Sequence, residues 1–147
     1  MADLSSTGQK IARGVGRLLA KLNFASLEEF VPHRGLRVDL IAIGPKSEIW
    51  IIECKSGRAD FMADKKWQGY LDYCDSFFWA VDIQFPTNIL PNDGGLIVAD
   101  AFDSEILRFP EEKLLNTARR KKLIHKFGRD AAMRLRSLRD PDFPYGY

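Results

Sequence analysis

The chain has 147 residues, 46% hydrophobic and 29% charged, enough for one domain whose core needs no metal or disulfide staple. Cys54 and Cys74 stand far apart, with no CxxC pair and no histidine cluster, which argues against structural zinc or a disulfide framework and for a reducing compartment. The net charge of +2 hides an asymmetry: Lys113 to Arg139 carries +9 and the remainder −7, a basic arm beside an acidic body that fits a polyanionic partner.

The start, MADLSSTGQKIARGVGRLL, lacks the apolar run of a signal peptide, and no stretch reaches the roughly 18 apolar residues of a membrane span. A cytoplasmic protein without a membrane partner is therefore expected. From about Ser5 to Leu22 the spacing of Ile11, Val15, Leu18 and Leu22 predicts an amphipathic helix, with Ser5 or Ser6 as its cap and Asn23 as its stop. Lys10, Arg13, Arg17 and Lys21 share a second face of that helix.

Three strands are expected next: Leu27 to Val31, then Arg37 to Gly44, then Glu48 to Lys55. The short Gly44-Pro45 connection predicts an antiparallel hairpin between the last two. A helix follows from about Ala59 to Tyr73, then buried strands at Ser76–Asp82 and Gly94–Asp100 and a short edge strand at Glu105–Phe109. The segment from about residue 111 to residue 140 reads as a basic helix with a break at Gly128. This order implies a single α/β domain over residues 1–147, a mixed sheet flanked by helices.

Acids inside apolar strands mark the chemistry. Along Glu48–Lys55 alternation sets Ile49, Ile51, Glu53 and Lys55 on one face, and Asp39 interrupts the neighbouring apolar run. Charges so placed are costly unless they are paired or hold a cation. Two acids and a lysine at one strand edge suggest a hard-cation site for Mg²⁺ or Mn²⁺, with Lys55 positioning a water or stabilising negative charge. The bland alternative is a buried ion pair between Lys55 and Glu53 or Asp39. No Gly-rich phosphate loop is present, so an ATPase is disfavoured.

The run VDLIAIG followed by IWIIECK resembles the PD-(D/E)xK nuclease superfamily. The longer segment from Arg37 to Arg108, including IIECKSGRADFMADKKWQGYLDYCD and GLIVAD, is similar to the MmcB-like bacterial DNA-repair proteins, described as candidate endonucleases. The resemblance implies a restriction-endonuclease-like core, with Asp39 and Glu53 as metal ligands and Lys55 as the catalytic lysine. Many superfamily members add an acid from the first helix. Here Gln9 is the nearest polar residue, and Glu28 or Glu29 would have to substitute. Superfamily members also place a helper residue on the second helix, which points to Lys66 and Gln68; Asp60 and Asp64 are expected instead in ordinary helix-surface pairing.

Phosphate contacts are expected from Lys10, Arg13 and Arg17 and from Arg119, Arg120, Lys121, Lys122 and Lys126. The expected activity is metal-dependent DNA hydrolysis in repair. A DNA-structure-binding protein with weak or no activity and a scaffold that recruits repair partners remain the alternatives. Many superfamily nucleases are dimers, so a homodimer stays open.

Overall fold

The computed structural model describes residues 6–144. Helix α1 (Thr7–Lys21) leads into strands β1 (Ala25–His33), β2 (Leu36–Ile43) and β3 (Ile49–Cys54). Two short helices, α2 (Arg58–Ala63) and α3 (Trp67–Tyr70), then precede β4 (Ser76–Val81), β5 (Gly95–Ala99), β6 (Ser104–Arg108) and α4 (Thr117–Arg139). The strands form one mixed sheet in the order β1-β2-β3-β4-β5-β6. The β1–β2, β2–β3 and β5–β6 pairs are antiparallel, whereas β3–β4 and β4–β5 are parallel.

Both ends of α1 are closed by local chemistry. Ser6 and Gln9 form a reciprocal capping box, with the Ser6 amide donating to Gln9 Oε1 at 2.8 Å and the Gln9 amide donating to Ser6 Oγ at 3.2 Å. The other proposed cap, Ser5, lies outside the described residues. At the far end Asn23 adopts φ +63°, and the amides of Asn23 and Phe24 reach back to the carbonyls of Ala20 and Leu19. That is a Schellman arrangement, so Asn23 stops the helix as its position predicts.

Helix α1 buries Ile11, Val15 and Leu19 on one sheet face against Leu40, Ile52, Phe78 and Ile97. Leu22, expected on that stripe, is exposed, because the helix ends before its turn comes round and Leu19 fills the place. The opposite face packs Ile41, Ile51, Phe77 and Trp79 under α2, α3 and α4 through Phe61, Trp67, Tyr70 and Leu123. The α2–α3 segment is the crossover that parallel β3 and β4 require.

Three expected elements differ from the structure. The helix predicted over Ala59–Tyr73 is broken at Asp64, whose backbone is extended and whose carboxylate accepts from the amides of Lys66 and Trp67. Residues 111–116 are not helical, and α4 starts at Thr117 with Asn116 as its cap. Gly128 makes no break: α4 runs through it, held on both sides by contacts to the sheet.

Candidate functional site

Main-chain pairing between β2 and β3 ends at Leu40 opposite Ile52. Beyond that pair the ladder is continued by side chains. The Asp39 amide donates to Glu53 Oε1 at 2.8 Å, and the Cys54 amide donates to Asp39 Oδ2 at 2.8 Å. Each acid thus bonds a backbone amide of the other strand, where a regular hairpin would have used carbonyls. Asp39 and Glu53 are brought together as their sequence positions predict.

The pair is held where its charge is unfavourable. Glu53 is 4% exposed. Burial, and then the neighbouring Asp39 charge, push its carboxyl up to about 8, against the amide bond and the Lys55 charge. Burial also raises Asp39, partly offset by the Cys54 amide and Lys55. Two desolvated carboxylates that repel each other are a donor set that fits a hard divalent cation, whose charge would offset both the burial and the repulsion.

Among the described residues no group of three or more His, Cys, Asp or Glu is placed to hold a metal. Glu28 and Glu29 are exposed and line a cavity of about 490 Å³ with Asp39, Cys54, Gln9 and Arg13. The register that sets Glu28 against Leu40 and Phe30 against Val38 puts Glu29 opposite Asp39. Glu29 holds φ +52°, a backbone region that disfavours side chains. Arg134 braces this bend by donating to the carbonyls of Glu28 and Glu29. Gln9 spends its side-chain oxygen on the α1 cap.

Lys55 leaves β3 on the Glu53 side and meets Asp64, Nζ to Oδ2 2.8 Å. Burial works against its ammonium, but the hydrogen bond and charge of Asp64, with Asp60 and Glu53, outweigh it and hold its pKa above the ordinary value. Asp64 is correspondingly held below the usual carboxylate range, the Lys55 bond and the Lys66 and Trp67 amides overcoming its burial. The open alternative of a Lys55 pair with Glu53 or Asp39 therefore resolves to a third partner. Asp64 is not in the helix-surface pairing expected of it; the break between α2 and α3 at this residue turns it inward. Asp60 instead accepts from the Ser56 amide and hydroxyl.

Residues 2–142 match the family described as DNA repair protein MmcB-like. The chain belongs to that family. A solved structure, the SPO1766 protein of unknown function from Silicibacter pomeroyi, is 58% identical to this MmcB-like chain, with 97% of each chain covered and a TM-score of 0.94. A search of curated proteins returns no match. Among the described residues no helix is long and apolar enough to cross a membrane.

The cationic residues of this MmcB-like chain divide by what they touch. Arg120 is committed to the fold: its guanidinium bonds both carboxylate oxygens of buried Asp75 at 2.6 Å and the Ser47 carbonyl at 2.9 Å. Arg17 reaches the Phe102 carbonyl at 3.3 Å, and Lys21 pairs with Asp103 at 3.1 Å. Lys66 donates to the Gly35 carbonyl at 3.4 Å, which ties α3 to the β1–β2 turn. Arg119 donates to the Asp72 carbonyl at 3.0 Å and lies over the Tyr73 ring, while Lys126 pairs with Asp130 at 2.8 Å. Arg13, Gln68, Lys121 and Lys122 are exposed, and Lys10 is half-buried.

Sequence reasoning missed three residues. Asp64 had a faint signal, an Asp placed two and three residues before amides it could accept from. Asp75 and Arg134 had none, because their partners lie 45 and 105 or more residues away.

Proposed function

We propose that this chain is a metal-dependent deoxyribonuclease of DNA repair, built on a restriction-endonuclease-like core. The helix, antiparallel strand triplet, crossover and parallel fourth strand support that core assignment. The observation that carries the activity is the Asp39–Glu53 pair, bonded across the end of the β2–β3 ladder with Lys55 beside it. Asp39 and Glu53 would hold Mg²⁺ or Mn²⁺. Such an ion, when bound, supplies Lewis-acid polarisation of a phosphoryl oxygen and a more acidic water. Lys55, kept charged by Asp64, offers an ammonium to the negative charge that develops on the phosphate. The exposed cation Arg13 on α1 lines the cavity at Asp39 and would meet the DNA backbone, with the half-buried Lys10 three residues before it on the same helix.

A second reading, DNA-structure binding without cutting, is favoured by one observation: the Lys55 ammonium is already engaged by Asp64 at 2.8 Å. Purified protein incubated with Mg²⁺ or Mn²⁺ on single-stranded, duplex, flapped and four-way DNA separates the two. The nuclease reading expects cleavage that Asp39→Ala, Glu53→Gln and Lys55→Ala each abolish. Cleavage that survives Asp39→Ala or Lys55→Ala overturns the mechanism. Binding without cleavage, indifferent to those substitutions, supports the second reading.

A further inference from the structure

A second cavity, of about 690 Å³, opens between α4 and the end of β1, and it shares no lining residue with the cavity at Asp39. Arg119, Lys122, Lys126 and Arg129 line it from α4. Their spacing of three, four and three residues places all four on one helical face. The opposite wall carries His33 from β1 and Tyr73, whose rings lie 6.0 Å apart. His125 joins them, so both histidines of the chain face this one groove.

The charges here are not all used by the fold. Asp130 is the acid in the lining, and Lys126 already engages it at 2.8 Å. Lys122 and Arg129 are exposed and make no hydrogen bond or ion pair among the described residues. Arg120, one position from Arg119, turns the other way into its Asp75 pair. Arg119, Lys122 and Arg129 leave the groove with surplus positive charge, since Asp130 offsets Lys126 alone. The groove's volume falls in the range of about 300–1,000 Å³ typical of small-ligand clefts. That suits a short stretch of one strand.

We propose that this groove binds single-stranded DNA, with Lys122 and Arg129 on phosphates and the His33 ring, backed by Tyr73, against a base. Phosphate neutralisation supplies the affinity, and an aromatic wall beside a basic track is the arrangement that holds single strands without reading sequence. The inference shares the DNA ligand with the proposed function but does not depend on cleavage. Its natural ligand is a substrate with a single-stranded arm or end.

The test is binding of a fluorescein-labelled twelve-nucleotide oligothymidine, followed by anisotropy in EDTA so that no metal chemistry intervenes. Lys122→Glu and Arg129→Glu should each weaken binding about tenfold or more and flatten the log-affinity against log-salt slope by about 0.7 per lost phosphate contact. Lys46→Glu, the same charge change on the exposed β2–β3 turn, should leave affinity and slope near wild type. Tyr73→Ala should weaken binding several-fold without changing the salt slope. Thermal melts of each variant check that the fold persists, which the exposure of Lys122 and Arg129 favours. Unchanged affinity in both charge variants overturns the site. Equal loss in Lys46→Glu, a duplex of the same length binding as tightly, or inorganic polyphosphate competing as well as DNA with Tyr73→Ala silent, overturns the single-strand assignment. All of these outcomes can be read whether or not the protein cuts DNA.

Discussion

Lys55 and Asp64 form a buried ion pair, Nζ to Oδ2 2.8 Å, in which each side chain is only 8% exposed. The pair links the end of β3 to the break between α2 and α3, so the crossover and the candidate lysine are fixed together. Asp64 does two further things: its other oxygen accepts from the Lys66 and Trp67 amides. Removing it leaves a buried ammonium unpaired and takes the acceptor from both amides.

Asp64→Ala should therefore destabilise the protein by about 3–5 kcal/mol, the range for breaking one side of a buried pair. Lys55→Met combined with Asp64→Ala should recover part of that loss, since an apolar replacement of both charges is far less costly than one orphaned charge. Urea unfolding of the two singles and the double gives the coupling energy. Simple additivity of the two single effects would show that the pair is not coupled.

Glu53 makes stability fall with pH in the metal-free protein. Its folded pKa, about 8, lies above the ordinary glutamate value near 4.5, so the folded chain binds more protons than the unfolded chain between those limits. Stability is then highest at the acid end of this window and declines as pH rises toward 8. Asp39, also raised, acts in the same direction. Glu53→Gln should flatten this limb and raise stability at pH 8 by roughly 1–3 kcal/mol, about 3–10 °C in Tm. Mg²⁺ or Mn²⁺ should raise the wild-type Tm at pH 8 and have little effect on Glu53→Gln. Melting curves from pH 5 to 8, with and without metal, check both; a wild-type profile that rises across this window would contradict the linkage.

Asp75 behaves in the opposite sense. It is buried beside β4, where it accepts from Arg120 and from the amides of Ile49 and Leu115. These bonds outweigh burial and hold its carboxyl below the usual range. Its contribution is present above the unfolded aspartate pKa, near 4, and is lost as pH falls through the depressed folded value. Asp75→Asn should cost about 3–5 kcal/mol at pH 7 by leaving the Arg120 guanidinium unpaired, and much less at pH 2. Comparing denaturant midpoints at the two pH values tests this.

The contrast among these three acids explains what could be read from the sequence. Asp39 and Glu53 were legible because strand alternation is local: an acid within VDLIAIG or IWIIECK must face a buried side, whatever surrounds it. The succession of strands along the chain and the β2–β3 hairpin are legible from equally local marks, apolar runs closed by turn residues. Asp64 was not, because a continuous helical pattern through Ala59–Tyr73 places it on a surface, and only its own bonds to Lys66 and Trp67 break that helix. Arg120 looked like one charge in a run of four; its partner, distant in sequence, singles it out. Glu28 and Glu29 stand out in the sequence as acids beside the strand pair, but the bend at Glu29 and the Arg134 brace are tertiary features with no local mark.

Glycine provides the last separation of local from tertiary effects. A methyl added at Gly14 would lie 1.9 Å from the Asp100 carbonyl oxygen and 2.7 Å from that of Asp103, because α1 rests directly on the turn before β6. Backbone atoms on both sides cannot yield cheaply, so Gly14→Ala should destabilise by about 1–3 kcal/mol despite alanine's better helix propensity. Gly128 also lies within a helix, but a methyl there meets nothing within 4 Å. Its φ is not in the left-handed region, so alanine fits the existing backbone and reduces the freedom of the unfolded chain. Gly128→Ala should therefore stabilise by about 0.5–1 kcal/mol. Thermal melts of the two variants should move in opposite directions. A loss of stability in Gly128→Ala would mean that α4 bends at this point in solution, as its sequence position alone suggests.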